Sequence, residues 1–230
     1  MKFKTDLHVH SADVSNCASI SAKEIVQNYL EKGYTSLVLT NHMSRFTYKN
    51  NRFDHSNYTW EQKVDYFMDG YNKIVNIANG QINILLGMEL RSNRDENDYL
   101  VYGVTEEFLK ANPKMMDETL TSFIDKCHKS GLLFIQAHPF RNTIRITNPE
   151  YLDGIEVYNG HTGHDSRNDI ANLWADKFSL IKTSGTDYHE ECHIIGGGIE
   201  TDEPITSNTQ LLQILKSGNY TLLRNSGVIC

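Results

Sequence analysis

Ten histidines occur in this chain of 230 residues, and several sit where a short apolar run ends. His8 and His10 flank Val9 in Asp6-Leu7-His8-Val9-His10-Ser11. His42 closes Leu39-Thr40-Asn41-His42, and Glu89 lies in Gly87-Met88-Glu89-Leu90. His138 stands in Gln136-Ala137-His138-Pro139, and Asp187 and His189 in Gly185-Thr186-Asp187-Tyr188-His189. Residues i and i+2 of a strand point the same way. His8 with His10, and Asp187 with His189, can therefore each turn two donor atoms toward one ion. Imidazole mixed with carboxylate suits Zn, Mn or Fe better than Ca or Mg. Any one of these residues alone is equally well read as a satisfied core or surface side chain. Their recurrence at successive strand ends is what points to a metal or catalytic cluster.

The elements that must position them alternate in type. Strands are expected over Thr5 to His10, Tyr34 to Thr40, Ile82 to Leu90, its neighbour Asp98 to Val104, Leu132 to Ala137, Gly154 to Tyr158, Ser179 to Ser184 and Tyr220 to Arg224. The capping box Ser21-Ala22-Lys23-Glu24 opens a helix that Gly33 stops. Thr59 to Gln62 opens another that runs to Ala78, and further helices are expected over Asp117 to Ser130, Ser166 to Lys177 and Ser207 to Lys216. Repeated β-then-α order predicts an α/β fold with a parallel sheet, open or closed into a barrel. In a closed one the C-terminal strand ends meet on one face. The long polar connection Asn41 to Tyr58 carries Arg45, Phe46, Tyr48, Lys49, Arg52 and Phe53. It reads as a lid over a site or as a plain solvated loop.

The length suits one domain over 1–230. The N-terminus has no apolar signal core, and the longest apolar run, Ile82 to Leu90, is too short to span a bilayer, so a cytoplasmic protein with no membrane partner is expected. Cys17, Cys127, Cys192 and Cys230 form no Cys-x-x-Cys pair and read as free thiols; Cys192 lies near a site loop without a role of its own. A net charge of −7 argues against long nucleic acid. It does not exclude a small anionic substrate, because bound cations override the global sign.

Taken together, the motifs from Asp6-Leu7-His8-Val9-His10 to Gly185-Thr186-Asp187-Tyr188-His189 resemble those of PHP (polymerase and histidinol phosphatase) domain phosphoesterases along nearly the whole chain. The resemblance implies a distorted seven-stranded (β/α) barrel, PHP/TIM-like, with two to three divalent transition-metal ions (Mn, Zn or Fe). The implied ligands are His8, His10, His42, Glu89, His138, Asp187 and His189. Asp13 joins them as the only carboxylate in the loop after His-x-His, and Asp98 stands where the family often has histidine. Asn41 replaces the more usual Asp before His42. These departures bear on which metals bind and whether a third is kept.

The implied activity is hydrolysis of a small phosphate ester, a nucleotide or a histidinol-phosphate-like monoester, by metal-activated hydroxide. Three divalent ions and a hydroxide among four carboxylates would leave a small positive charge for the substrate. Arg141, just past His138, is the candidate to grip phosphate in catalysis. His164 is a candidate to protonate the leaving oxygen, and His161, Arg91 and Arg167 to bind substrate. Glu156 is expected to orient a ligand histidine. His55 and His128 read as solvated or structural, and His193 is left unassigned. Gly196-Gly197-Gly198 lacks the Lys-Ser/Thr of a phosphate loop and reads as a tight turn. The alternatives are a metal-dependent amidohydrolase, disfavoured because no lysine ends an interior strand, and a catalytically silent PHP binding module, disfavoured because most ligands are kept.

Overall fold

In the computed structural model, which describes residues 2–49 and 54–225, strand β1 (Phe3–Val9) is buried from Thr5 onward. The loop after it leads to α1 (Ala22–Glu31), whose start is the box expected: Ser21 Oγ accepts from Glu24 N, and the Glu24 carboxylate accepts from Ser21 N at 2.9 Å. Ile25, Val26 and Tyr29 recur at helical spacing and are the face α1 buries. β2 (Ser36–Leu39) pairs parallel to β1, and α3 (Trp60–Ala78), opened by a Thr59–Gln62 box, crosses to β4 (Asn83–Arg91), parallel to β2. Next come β5 (Asp98–Tyr102), α4 (Glu106–Ala111), α5 (Leu120–Lys129), β6 (Leu133–Gln136), β7 (Gly154–Asn159), α6 (Asn168–Phe178) and β8 (Ile181–Gly185). β9 (Gly198–Thr201), α7 (Asn208–Ser217) and β10 (Thr221–Leu223) end the series.

The strands run in the order β10-β9-β1-β2-β4-β5-β6-β7-β8. The segment after β8 returns to β1: Asp187 N donates to His8 O at 2.8 Å, His10 N donates to Tyr188 O at 3.1 Å, and Val9 bridges Tyr188. The sheet is thus a nearly closed barrel. Two features differ from a seven-stranded parallel design. β9 and β10 extend the sheet antiparallel beyond β1. β5 is antiparallel to both β4 and β6, because the short 92–97 connection permits a hairpin but not a crossover.

Two local features add to the expectations. The 41–58 connection contains β3 (His42–Met43), paired with β4, and one helical turn, α2 (Arg45–Tyr48). Arg52 and Phe53 lie outside the described residues, as does Cys230. Gly196 to Gly198 lead into β9 instead of forming a tight turn. A Cβ on Gly197 would sit 2.1 Å from the Gly185 carbonyl carbon, so two backbones touch there. One apolar cluster joins Leu7, Val38, Leu85, Leu100 and Ile135 of the barrel to Leu211 and Leu215 of α7. No helix of the described residues is long and apolar enough to cross a membrane.

Candidate metal centre

Glu89 is the hub of the barrel rim. The register of β3 on β4 sets His42 beside Glu89. Its carboxylate lies 3.4 Å from His8 Nε2, 3.3 Å from His10 Nε2, 3.0 Å from His42 Nδ1 and 3.2 Å from His138 Nε2. Asp187 Oδ1 is 3.3 Å from both His8 Nε2 and His10 Nε2. Except for His42 these side chains are buried. Yet His8 Nε2, His10 Nε2, His42 Nδ1 and Asp187 Oδ1 have no hydrogen-bond partner. Native interiors rarely leave such atoms unmet. Orphaned donor atoms converging on one another fit cations, and His8 with His10 and Asp187, and His10 with His42 and His189, bring theirs within 4.8 Å.

The outer partners of the histidines decide which nitrogen faces inward. His8 Nδ1 donates to Glu156 Oε1 at 2.9 Å, and His189 Nδ1 donates to the Asp187 carbonyl at 2.9 Å. Ser15 Oγ donates to Asn41 Oδ1 at 2.9 Å, so toward His10 Nδ1, 3.2 Å away, it can only accept. As neutral imidazoles all three rings would therefore keep their proton on Nδ1 and turn the Nε2 lone pair inward. His161 and His193 are wired the other way. Gly163 N donates to His161 Nδ1 at 2.9 Å, and His189 N to His193 Nδ1 at 3.2 Å. A neutral ring whose Nδ1 accepts must hold its proton on Nε2, so these two rings offer N–H donors and not ligand lone pairs, although His161, His189 and His193 also lie close together.

Charge in the cluster follows from burial and proximity. Burial would raise Glu89 and Asp187, but His42 and His8 hold Glu89, and His8 and His189 hold Asp187, well below the usual carboxylate range. Burial would lower His8 and His42, but Asp187, Glu156 and Glu89 raise His8, and Glu89 and Cys17 raise His42, well above the usual imidazole range. Protons on histidine thus occupy the place cations would take. Burial pushes His161 down to about 4 and His164 to about 3.

Backbone strain sits at the same residues. His138 has φ +27° and Asp187 φ +54°, a region unfavourable to side chains with a Cβ. Glu156 Oε2 accepts from His138 N at 2.9 Å, and the Asp187 N bond to His8 O locks the second turn.

Several expected site residues fall elsewhere. Asp13 is not among the groups whose donor atoms converge within 4.8 Å; its Oδ1 accepts from Lys73 Nζ at 2.5 Å, and its Oδ2 has no hydrogen-bond partner. The Arg167 guanidinium donates to Phe140 O and, at 2.6 Å, to Asn142 Oδ1, tying a loop to the start of α6, and Arg167 does not line the cavity. Asp98 reaches the rim from the start of β5, and its carboxylate lies near His42 and Glu89. Arg91 already engages both its oxygens, Nε at 2.6 Å and Nη2 at 2.5 Å, and Arg141 Nη2 is 3.5 Å away. Arg91, Arg141, His161 and His164 line one cavity of about 570 Å³ with Glu89, His138 and Asp187. His128 pairs with Asp153 at 3.0 Å, far from this cavity.

Two residues there were missed. Cys17 lines the cavity; burial would raise its thiol, but His42 and His189 bring it down to about 5. The only signal for it was a metal-ligand residue type shortly after His-x-His. His193 carried no sequence signal beyond its type.

The fold has counterparts among known proteins. The PHP domain family matches residues 6–221, and the chain belongs to that family. Among solved structures, a two-domain protein from Bacteroides vulgatus containing a predicted PHP-like metal-dependent phosphoesterase is 17% identical with a TM-score of 0.64; the alignment covers 96% of this chain and 64% of that one. The lesion-specific endonuclease PfuEndoQ from Pyrococcus furiosus is 14% identical with a TM-score of 0.67, over 96% of this chain and 58% of that one. An amidohydrolase from Chromobacterium violaceum with bound SO4 is 15% identical with a TM-score of 0.57, over 95% and 97%. This chain therefore spans less than two thirds of the first and second, and at such identities the likeness is one of fold. Comparison with curated proteins gives no match.

Proposed function

We propose that the chain is a metal-dependent phosphoesterase acting on a small phosphate ester, a nucleotide or histidinol-phosphate-like monoester. The observation that carries this is a cavity lined by two unlike sets of groups: orphaned buried donor atoms suited to cations, and N–H donors suited to an anion on Arg91, Arg141 and His161. The residues fit two to three ions of Mn, Zn or Fe. His8, His10, Glu89 and Asp187 would hold one, and Glu89, His138 and Asp98, the last still paired with Arg91, a second. His42 and His189 with the Cys17 sulfur would hold a third. Bound there, the ions supply Lewis acidity that lowers the pKa of water and neutralises phosphoryl charge.

The protein's own groups do the rest. Arg141, steadied by Asp98, grips the phosphoryl oxygens that gain charge in the transition state. His161 donates Nε2–H to the substrate. His164 is neutral at pH 7, so it holds the leaving oxygen as a hydrogen-bond partner and not as an imidazolium acid. The net charge of −7 favours a small ester over a long nucleic acid. Among the described residues lining the cavity there is no lysine to bridge two ions, which disfavours the amidohydrolase reading.

The test is a screen of phosphorylated metabolites on protein refilled with Mn, Zn or Fe, with metal content measured. Two to three ions per chain and a hydrolysed monoester are expected, and His8→Ala and Asp187→Ala should lose metal and turnover while staying folded. Less than one equivalent after refilling, or near-normal turnover in either variant, would refute the reading.

A further inference from the structure

The metal cavity adjoins a second concave surface, with Arg91 lining both. A pocket of about 490 Å³ is lined, among the described residues, by Arg45, Arg91, Arg94 and Arg145 together with Asp95 and Glu96. A smaller cavity of about 180 Å³ lies between the two. It shares Ser44 and Phe46 with the arginine pocket and Cys17 and His42 with the metal cavity. Arg91 thus borders all three cavities.

Two guanidiniums in the pocket are already engaged. Arg91 is held by Asp98 in a two-pronged pair, and Arg94 Nε donates to the Asp117 carbonyl at 2.5 Å. Arg45 lies over the Phe46 ring at 4.7 Å, and neither Arg45 nor Arg145 meets a carboxylate among the described residues. With Arg91 neutralised by Asp98, three further guanidiniums, Arg45, Arg94 and Arg145, thus face two carboxylates, Asp95 and Glu96, an excess of one positive charge. Exposed guanidiniums gathered around one concavity raise the local concentration of anions there. All the cations are arginines, whose planar forks match phosphate or carboxylate oxygens.

We propose that this pocket binds a second anionic group, phosphate or carboxylate, of the same small substrate whose phosphate ester enters the metal centre. The substrate class is then a bis-anionic ester: a bisphosphate or a phosphorylated carboxylate. This rests on the phosphoesterase reading for the first group only. A nucleic-acid track is disfavoured because the arginines converge on one void and the chain as a whole is acidic.

The experiment is calorimetric binding of alkane-α,ω-bisphosphonates and ω-phosphonocarboxylates of graded length, against alkane monophosphonates, to the Mn-loaded protein. None of these probes can be hydrolysed, so binding is read whether or not the protein is a phosphoesterase, and monoester turnover is measured separately. One chain length should bind on the order of ten- to a hundredfold tighter than its monophosphonate, the gain from one charge-assisted contact pair. Arg45→Ala and Arg145→Ala should each reduce that excess, their combination should abolish it, and monophosphonate affinity should not change. Arg145→Lys should restore part of it, which excludes misfolding as the cause. No excess at any length, or an excess that survives the double variant, would overturn the proposal. So would arginine variants that weaken an oligonucleotide while bis-anion binding stays intact. An intact excess without monoester turnover would sink the phosphoesterase reading alone.

Discussion

Replacing Glu156 by glutamine tests whether the outer partners of the histidines control metal binding. The Glu156 carboxylate is 1% exposed and uses both oxygens: Oε1 accepts from His8 Nδ1, and Oε2 accepts from His138 N and Asn159 Nδ2, each at 2.9 Å. Glutamine has one acceptor oxygen. If that oxygen faces His138 N, the amide NH2 faces His8 Nδ1 and drives the ring proton to Nε2, which blocks the ligand atom. If it faces His8, the NH2 opposes the His138 and Asn159 N–H groups, and a buried unmet donor costs about 1–3 kcal/mol. Either orientation weakens a ligand. The expected loss is on the order of ten- to a hundredfold in metal affinity, or about 1.4–2.7 kcal/mol. Competition with a chromophoric chelator reads the affinity, and turnover at saturating metal should recover much of the wild-type rate. Wild-type affinity in Glu156→Gln, or a loss confined to turnover at full occupancy, would refute the tautomer argument.

Cys17→Ala should reduce metal content by up to one ion while Asp13→Asn leaves it unchanged; the reverse pattern by elemental analysis would restore Asp13 to the site. Gly185→Ala should disturb His8 and Glu156 together, because the added Cβ would lie 2.2 Å from His8 Cβ and 2.9 Å from Glu156 Oε1. Overpacking of this kind costs about 1–3 kcal/mol, and a normal melting curve with full metal content would count against it. The metal-free protein should lose stability as pH rises. His8 and His42 are held well above 6.5 when folded, so their contribution is complete below about pH 6.5 and lost through their higher folded values. His10, lowered by burial and by His189 and His42, is already neutral in that window. Each kcal/mol lost should lower the melting temperature by about 2–4 °C, and the gain on adding metal should grow over the same pH range; a gain that shrinks with pH would contradict the cation-deficit account.

The types and order of the ligand residues were legible in the amino-acid sequence, because two local periods carry them. Alternation along β1 turns His8 and His10 the same way, and apolar runs that end in His, Glu or Asp mark strand ends that a barrel gathers on one face. The capping boxes at Ser21 and Thr59 were legible for the same reason, being contacts within one helical turn. What the tertiary structure alone decided lies where no period exists or where partners are distant. Asp13 sits in a turn, so nothing local says that it faces Lys73 on α3. Asp98 reaches the rim because β5 reverses direction, and it meets Arg91 across a hairpin. Arg167 is spent on a loop from another part of the chain. The proton positions on His8, His10 and His189 depend on Glu156, on the Ser15–Asn41 pair and on a strained Asp187 carbonyl. Sequence spacing specifies which side a residue faces within its own element; which atom of it is left free depends on hydrogen-bond partners that only the closed barrel brings together.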